Sequence, residues 1–329
     1  MEKRFEVVGI GNAIVDIMAN VEDDFLNQHL LKKGSMRLVD NNLSSRICGC
    51  IEIVENNSGG SVANTIAGLA CLENRVAFMG KISEDERGRA FEDSLKQLGV
   101  HFSTKKSKGG HPTGHCVVLI TPDAQRTMNT CLGVAGNIGP EDMDEQILKD
   151  TKITFMEGYL WESTPAERAA YRAIGITKKY GGKCALSLSD SFCVQRHREK
   201  FMALAKEKID FIFANQDEIK ALFESDSLKD AIKKCGQMGK IFAITRSDKG
   251  SIIVQGKKQA NIDTHIPQKI MDTTGAGDLY AAGFMHAYLK GHSLEACGKA
   301  GSIVAAEAIS HFGARPQAPL LDLLRQKGY

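Results

Sequence analysis

No run of about 18 apolar residues occurs in the 329-residue chain, so no membrane-spanning helix is expected. Neither sign of charge is in excess. Lys plus Arg number 42 against 40 Asp plus Glu, a net charge of +2. With aromatics at only 6%, nothing points to a basic, aromatic-studded surface for nucleic acid. Proline- or serine-rich linkers, internal repeats and low-complexity tracts are missing as well. Cysteine is present but unpatterned: Cys48 and Cys50 have no second pair, and positions 71, 116, 131, 184, 193, 235 and 297 are scattered. They are expected to be reduced, mostly buried thiols of a cytoplasmic protein. The opening MEKRFEVVGIGNAIVDI is broken by Gly9, Gly11, Asn12 and Asp16, so it reads as a first strand and not as a secretory signal.

What remains is an ordinary globular composition, 43% hydrophobic and 25% charged, with room for one large domain or two ordinary ones. Strands are expected at 5–10, 14–21, 35–40, 51–54, 76–81 and 100–103, with helices at 26–33, 43–50, 61–72 and 88–98 between them. Residues 111–130 read as a hairpin that turns at Pro122-Asp123-Ala124-Gln125. From Pro140 a helix leads into a regular alternation. Strands at 153–157, 183–188, 211–214, 241–245 and 250–254 are separated by helices at 165–180, 195–206, 216–223 and 228–238. Helices at 279–289, 294–311 and 320–327 close the chain. The implied fold class is α/β: a central, mostly parallel sheet with helices on both faces, and ligand sites at the carboxyl ends of its strands.

Polar clusters fall at those ends. Asp272-Thr273-Thr274-Gly275-Ala276-Gly277-Asp278 opens an Ala- and Gly-rich helix. Gly275, Ala276 and Gly277 let backbone N–H groups crowd one point, a cradle for a phosphate-like anion. Asp278 inside it is either a general base or a simple N-cap. Gly59-Gly60 lets the backbone approach a ligand, or makes a plain turn; Asn64 lies one helical turn further on. Asp16, a charge among apolar residues, can accept from two vicinal hydroxyls or merely end a strand. Asn215 and Glu218, three apart at a helix start, could hold a hydrated Mg²⁺ or cap the helix. Thr245 to Gly250, with Ser247 inside it, suits a nucleotide or a turn. Gly9 and Gly11 alone do not make a dinucleotide fingerprint, because position 14 is Ile.

Taken together and in this order, the clusters resemble the ribokinase-like (PfkB-type) carbohydrate and nucleoside kinases. Asp272–Asp278 is similar to that family's C-terminal signature, Gly59–Asn64 to its N-terminal one, and Asn215–Glu218 to its N-x-x-E element. Residues 305–316 resemble its nucleotide-side loop and helix. One departure is Ser247, where the family often has glycine. The segment Gly11–Ile17 resembles the G-N-x-x-x-D-I opening of the adenosine kinase subfamily, and Gln125-Arg126-Thr127 its lid turn.

The resemblance implies ATP-dependent phosphoryl transfer to a primary hydroxyl, that of adenosine foremost. Fructose, ribose or 2-keto-3-deoxygluconate is the sugar alternative, and a non-catalytic nucleoside- or sugar-binding regulator the alternative of another class. It implies Asp278 as base, Arg126 as a mobile charge, and Asn12, Asp16, Gly59, Gly60 and Asn64 on the ribose. Tyr159, Leu160 and Phe192 would lie near a purine, although as plain sequence Tyr159 and Phe192 read more readily as core aromatics. Thr245, Ser247, Gly250, Thr274, His311 and Gly313 would face the nucleotide, and Asn215 and Glu218 would reach Mg²⁺ largely through water. Backbone carbonyls near Asp272 and residues 311–313 are the place for a possible K⁺. The chain is then one ribokinase-like domain with a discontinuous lid at about 15–57 and 112–131, monomeric or paired lid to lid.

Overall fold

The computed structural model describes residues 3–123, 125–267 and 269–329. Ala124, in the expected hairpin turn, lies outside the described residues.

Fourteen strands form among the described residues: β1 Phe5–Ile10, β2 Ile14–Asn20, β3 Met36–Leu38, β4 Glu55–Ser58, β5 Val76–Met79, β6 His101–Phe102 and β7 Gly114–Ile120. Then come β8 Arg126–Cys131, β9 Thr151–Glu157, β10 Lys183–Ser187, β11 Phe211–Asn215, β12 Ile241–Thr245, β13 Ser251–Gln255 and β14 Lys258–Ile262. Nine of them make the main sheet, in the order β14-β13-β12-β11-β10-β9-β1-β5-β6. It is parallel from β12 to β6, and β13 and β14 are antiparallel additions at one edge. Its inner strands are apolar runs because both faces are covered. Val7 and Phe155 enter one core, with the helices Ser61–Cys71, Ala276–Leu289 and Leu294–Ala308. Val8 and Met156 enter the other, with Thr164–Lys179, Ser191–Glu207 and Gln216–Phe223.

The other five strands form a second sheet, β3-β8-β7-β2-β4. The 114–131 hairpin has no free edge, since β7 pairs with β2 and β8 with β3. Period-2 alternation gives this sheet two faces. One buries Ile17, Ala19, Val117 and Leu119 beneath the helices Asp23–Gln28 and Asn41–Cys48. The other carries Ile14, Met18, Cys116 and Val118, with Asp16 in the same register.

Several expected elements shift. Residues 51–54 are irregular, and the strand begins at Glu55, where Asn56 and Asn57 pair with Ile17 and Asp16. Its polar sequence hides it, as does that of the edge strand β14, which is absent from the sequence reading. The helix expected at 26–33 runs Asp23–Gln28 and stops before Leu30, whose φ is +53°. The helix expected from 195 starts at Ser191, because Asp190 accepts from the N–H groups of Phe192 and Cys193. After Pro140 there is a 3₁₀ turn and then the short helix Glu145–Lys149.

Candidate active site

β1 passes into β2 through Gly11, Asn12 and Ala13, at the carboxyl end of the main sheet. The Asn12 backbone N–H and side-chain Nδ2 both donate to Glu157 Oε1, at 2.9 and 2.8 Å. Glu157 Oε2 accepts from the Val62 N–H at 3.0 Å. Glu157, the last residue of β9, is 1% exposed, and burial raises its pKa. One buried carboxylate thus ties the first loop to the start of the Ser61–Cys71 helix. The sequence reading did not single it out. A lone charge closing an apolar strand at the ligand end of the sheet was the available signal.

Gly275 has φ +77° and caps the helix Ala276–Leu289. A side chain there would meet Ala314, so the C-terminal loop packs against this helix start. The Ala276 N–H is spent on Thr273 O at 3.3 Å. The N–H groups of Gly275, Gly277 and Asp278 make no hydrogen bond among the described residues, so they are the open donors. Of the three N–H groups expected to converge on an anion, that of Ala276 is therefore the one already bonded.

Asp278 points back at the glycine-led helix opposite. Ser61 Oγ donates to Oδ1 at 2.6 Å and Asn64 Nδ2 to Oδ2 at 3.1 Å. Thr65 Oγ1 also donates to the Asp278 carbonyl at 3.0 Å. The Asp278 carboxyl is pushed up to about 7. Burial is the main cause, the Ser61 and Asn64 bonds pull the other way, and the charges of Glu157 and Asp16 add to the rise. Asp16 lies against the Gly59 backbone, where any side chain would overlap its carboxylate. Its pKa also reaches about 7, through burial opposed by Arg126 and Arg315, with Asp272 adding to the rise.

Asp272 is a joint. It accepts from the Thr274 N–H at 2.7 Å, from the Gly313 N–H at 3.0 Å and from Arg126 Nη2 at 2.5 Å. Arg126 Nη1 also contacts Thr274 Oγ1. The second sheet is thereby latched onto the loop that carries Asp272 and Thr274. His311 bonds through Nε2 to Glu307 Oε1 at 3.1 Å; the same oxygen accepts from the N–H groups of Gln317 and Ala318 and fixes the tail. Arg315 was not foreseen. Its Nη1 donates to Ser94 Oγ at 2.8 Å, and Nε and Nη2 are enclosed without partners.

The remaining expected residues fare differently. Asn215 and Glu218 stand at the end of β11 but bond each other. Asn215 Oδ1 accepts from the Asp217 and Glu218 N–H groups, and the Glu218 carboxylate accepts from Asn215 N and Nδ2. This is a capping box on a buried acid whose pKa burial lifts to about 7. Thr245 ends β12, and Ser247 and Gly250 form the turn after it. Tyr159 packs against the second core beside Asp190, whereas Phe192 is 60% exposed and packs in neither core.

The sequence pattern of the pfkB family carbohydrate kinases matches residues 51–320. The chain is 38% identical to adenosine kinase from Sinorhizobium meliloti, with a TM-score of 0.94 over 99% of this chain and 100% of that one. It is 36% identical to a probable sugar kinase protein from Rhizobium etli CFN 42, with a TM-score of 0.95 over 99% of each chain. A 5-dehydro-2-deoxygluconokinase from Geobacillus thermodenitrificans is 28% identical over 284 residues, 82% of this chain and 83% of its own length.

Proposed function

This chain belongs to the pfkB family of carbohydrate kinases, and within that family we propose that it passes the γ-phosphoryl of ATP to the 5′-hydroxyl of a nucleoside, adenosine foremost. One observation carries the acceptor assignment. The Asp16 carboxylate accepts no hydrogen bond among the described residues, and Asn12 Oδ1 and Asn64 Oδ1 are buried without donors. Three acceptors at one cleft want hydroxyl groups, which a ribose supplies. The apolar face around Asp16, with Ile14, Met18, Cys116 and Val118, suits a base more than a charged acid. The likeness to an adenosine kinase at 38% identity supports the same reading.

In this reading Asp278 takes the proton of the attacking hydroxyl as its oxygen bonds the γ-phosphorus and the bond to the β-phosphate oxygen breaks. Ser61 and Asn64 hold the carboxylate in line. The free N–H groups of Gly275, Gly277 and Asp278 receive the charge spread over the transferring phosphoryl. Arg126 leaves Asp272 and Thr274 for the phosphates when they arrive, with the segments at about 15–57 and 112–131 acting as a lid that excludes water. Thr245, Ser247, Gly250, Thr274, His311 and Gly313 lie on the nucleotide side. The buried Glu218 carboxylate, paired with Asn215, fits an outer-sphere place for Mg²⁺ reached through water, since a nearby cation offsets its desolvation. The bound ion supplies neutralisation of phosphate charge. The Asp272–Gly313 bond sets residues 272 and 313 side by side, where their carbonyls offer K⁺ a place.

A second reading draws on Arg315, whose free guanidinium edges near Asp16 suit a carboxylated sugar such as 5-dehydro-2-deoxygluconate. Coupled ADP release across adenosine, inosine, ribose, fructose and 5-dehydro-2-deoxygluconate decides between them. The highest kcat/KM for adenosine is expected. A sugar acid in first place overturns the nucleoside assignment, and binding without ADP release for every acceptor marks a regulator.

A further inference from the structure

Outside the cleft, Glu162, Cys193 and His197 converge where the turn after β9 meets the helix after β10. Cys193 and His197 are four apart on that helix and share a face. One potential ligand atom from each lies within 4.8 Å of the others, and His197 Nε2 is 3.5 Å from Glu162 Oε1. Tetrahedral zinc, with bonds of about 2.0–2.3 Å, sets neighbouring ligand atoms roughly 3.3–3.7 Å apart. The imidazole–carboxylate edge already has that length. Cys193 is a fully buried free thiol. His197 Nε2 is enclosed and makes no hydrogen bond, while the backbone at His197 leaves helical geometry, with φ −118° and ψ 17°. A buried ring nitrogen whose one polar neighbour is a carboxylate oxygen 3.5 Å away, with a thiol in the same cluster, leaves room for a ligand between them.

We propose that Glu162, Cys193 and His197 bind a borderline-soft divalent ion, zinc foremost, with one coordination position open to water. The donor set of sulfur, imidazole nitrogen and carboxylate selects such an ion over Mg²⁺. On binding, the Cys193 S–H bond breaks, the thiolate becomes a ligand and the proton leaves to solvent. Arg196, whose Nε lies 3.0 Å from Glu162 Oε1, orients that carboxylate from outside the coordination sphere. The ion would staple the turn Gly158–Glu162, which continues from Glu157, to the helix Ser191–Glu207. The assignment is independent of the acceptor identity. Spacing alone hid the site, because the third ligand comes from a different strand end.

The test is titration of the metal-free full-length protein with Co²⁺ and then Zn²⁺. One Co²⁺ per chain with a near-ultraviolet thiolate-to-cobalt charge-transfer band, displaced by Zn²⁺, is expected. Cys193→Ser should abolish the band and His197→Ala should weaken Zn²⁺ binding at least about tenfold, while Cys50→Ser, at the exposed cysteine, changes neither. Absence of the band in the wild type, its survival in Cys193→Ser, or unaltered Zn²⁺ affinity in His197→Ala overturns the site. The Glu162–His197 contact then stands without an ion.

Discussion

Ser61 Oγ lies 2.6 Å from one oxygen of Asp278, across 217 residues of sequence. Two glycine-led helix starts face each other, and the hydroxyl of one clamps the carboxylate of the other. Only the ionised carboxylate can take a proton. With its pKa at about 7, kcat/KM should climb with pH through that value and level off above it. Asp278→Asn should cost about 10²–10⁴-fold in kcat. Ser61→Ala removes a bond that favours the charged form, so the acidic limb should move to higher pH. A limb that stays put in the pH profile counts against the clamp.

Arg126 is held by Asp272 and Thr274. If it then follows the transferring group, Arg126→Gln should lower kcat by about 10²-fold, as loss of a transition-state donor does. The same change unlatches the second sheet, and limited proteolysis near Gln125 should quicken. Wild-type turnover in the variant would remove Arg126 from the chemistry.

Glu157 gathers three N–H donors with two oxygens. Glu157→Gln turns one oxygen into an NH₂ that faces donors. The loss should be about 1–3 kcal/mol of stability, read in denaturant melts. Acceptor KM should rise too, because Asn12 is no longer oriented.

Gly59→Ala pushes a methyl group into the Asp16 carboxylate. Acceptor KM should rise at least about tenfold, a displacement worth roughly 1.4 kcal/mol. KM for ATP should stay within about twofold. Equal rises in both would mean a general collapse of the cleft.

Ser247 stands with φ +54°, a left-handed backbone that costs a non-glycine residue roughly 1 kcal/mol. Ser247→Gly should therefore raise Tm slightly or leave it unchanged, where most glycine substitutions lower it. A drop of several degrees would show that the serine hydroxyl compensates locally.

Much of this was legible because parallel strands buried on both faces write themselves as apolar runs. Phe211–Asn215 and Ile241–Thr245 were read within one residue for that reason. The motif residues Asp16, Gly59, Asn64 and Asp278 announced themselves as polar or flexible groups at strand ends. Contacts between distant segments were not legible. Glu157 looks like any strand-terminal acid until Asn12 and Val62 close on it, and Arg315 looks like a tail charge until Ser94 receives it. The Asn215–Glu218 spacing was compatible with a cap or a metal pair, and the hydrogen bonds now made are those of the cap. Strands such as β4 and β14 escaped because register with a neighbour defines them more than apolar content does.

The central pair of the second sheet joins Asp16 to Cys116, about 100 residues apart, while β1 leads into β2 with only three residues between. During synthesis β2 emerges among the first segments and waits for its parallel partner until β7 has left the ribosome. The main-sheet pair of Val7 with Val76 closes a shorter loop and becomes available earlier. Shorter still is the loop that joins Asp16 to its antiparallel partner Asn57, so the second sheet can begin with β2 and β4 before either parallel pair is possible. In a nascent chain β2 can therefore hold one partner early, while the edge of Asp16 that pairs with Cys116 stays open until β7 emerges.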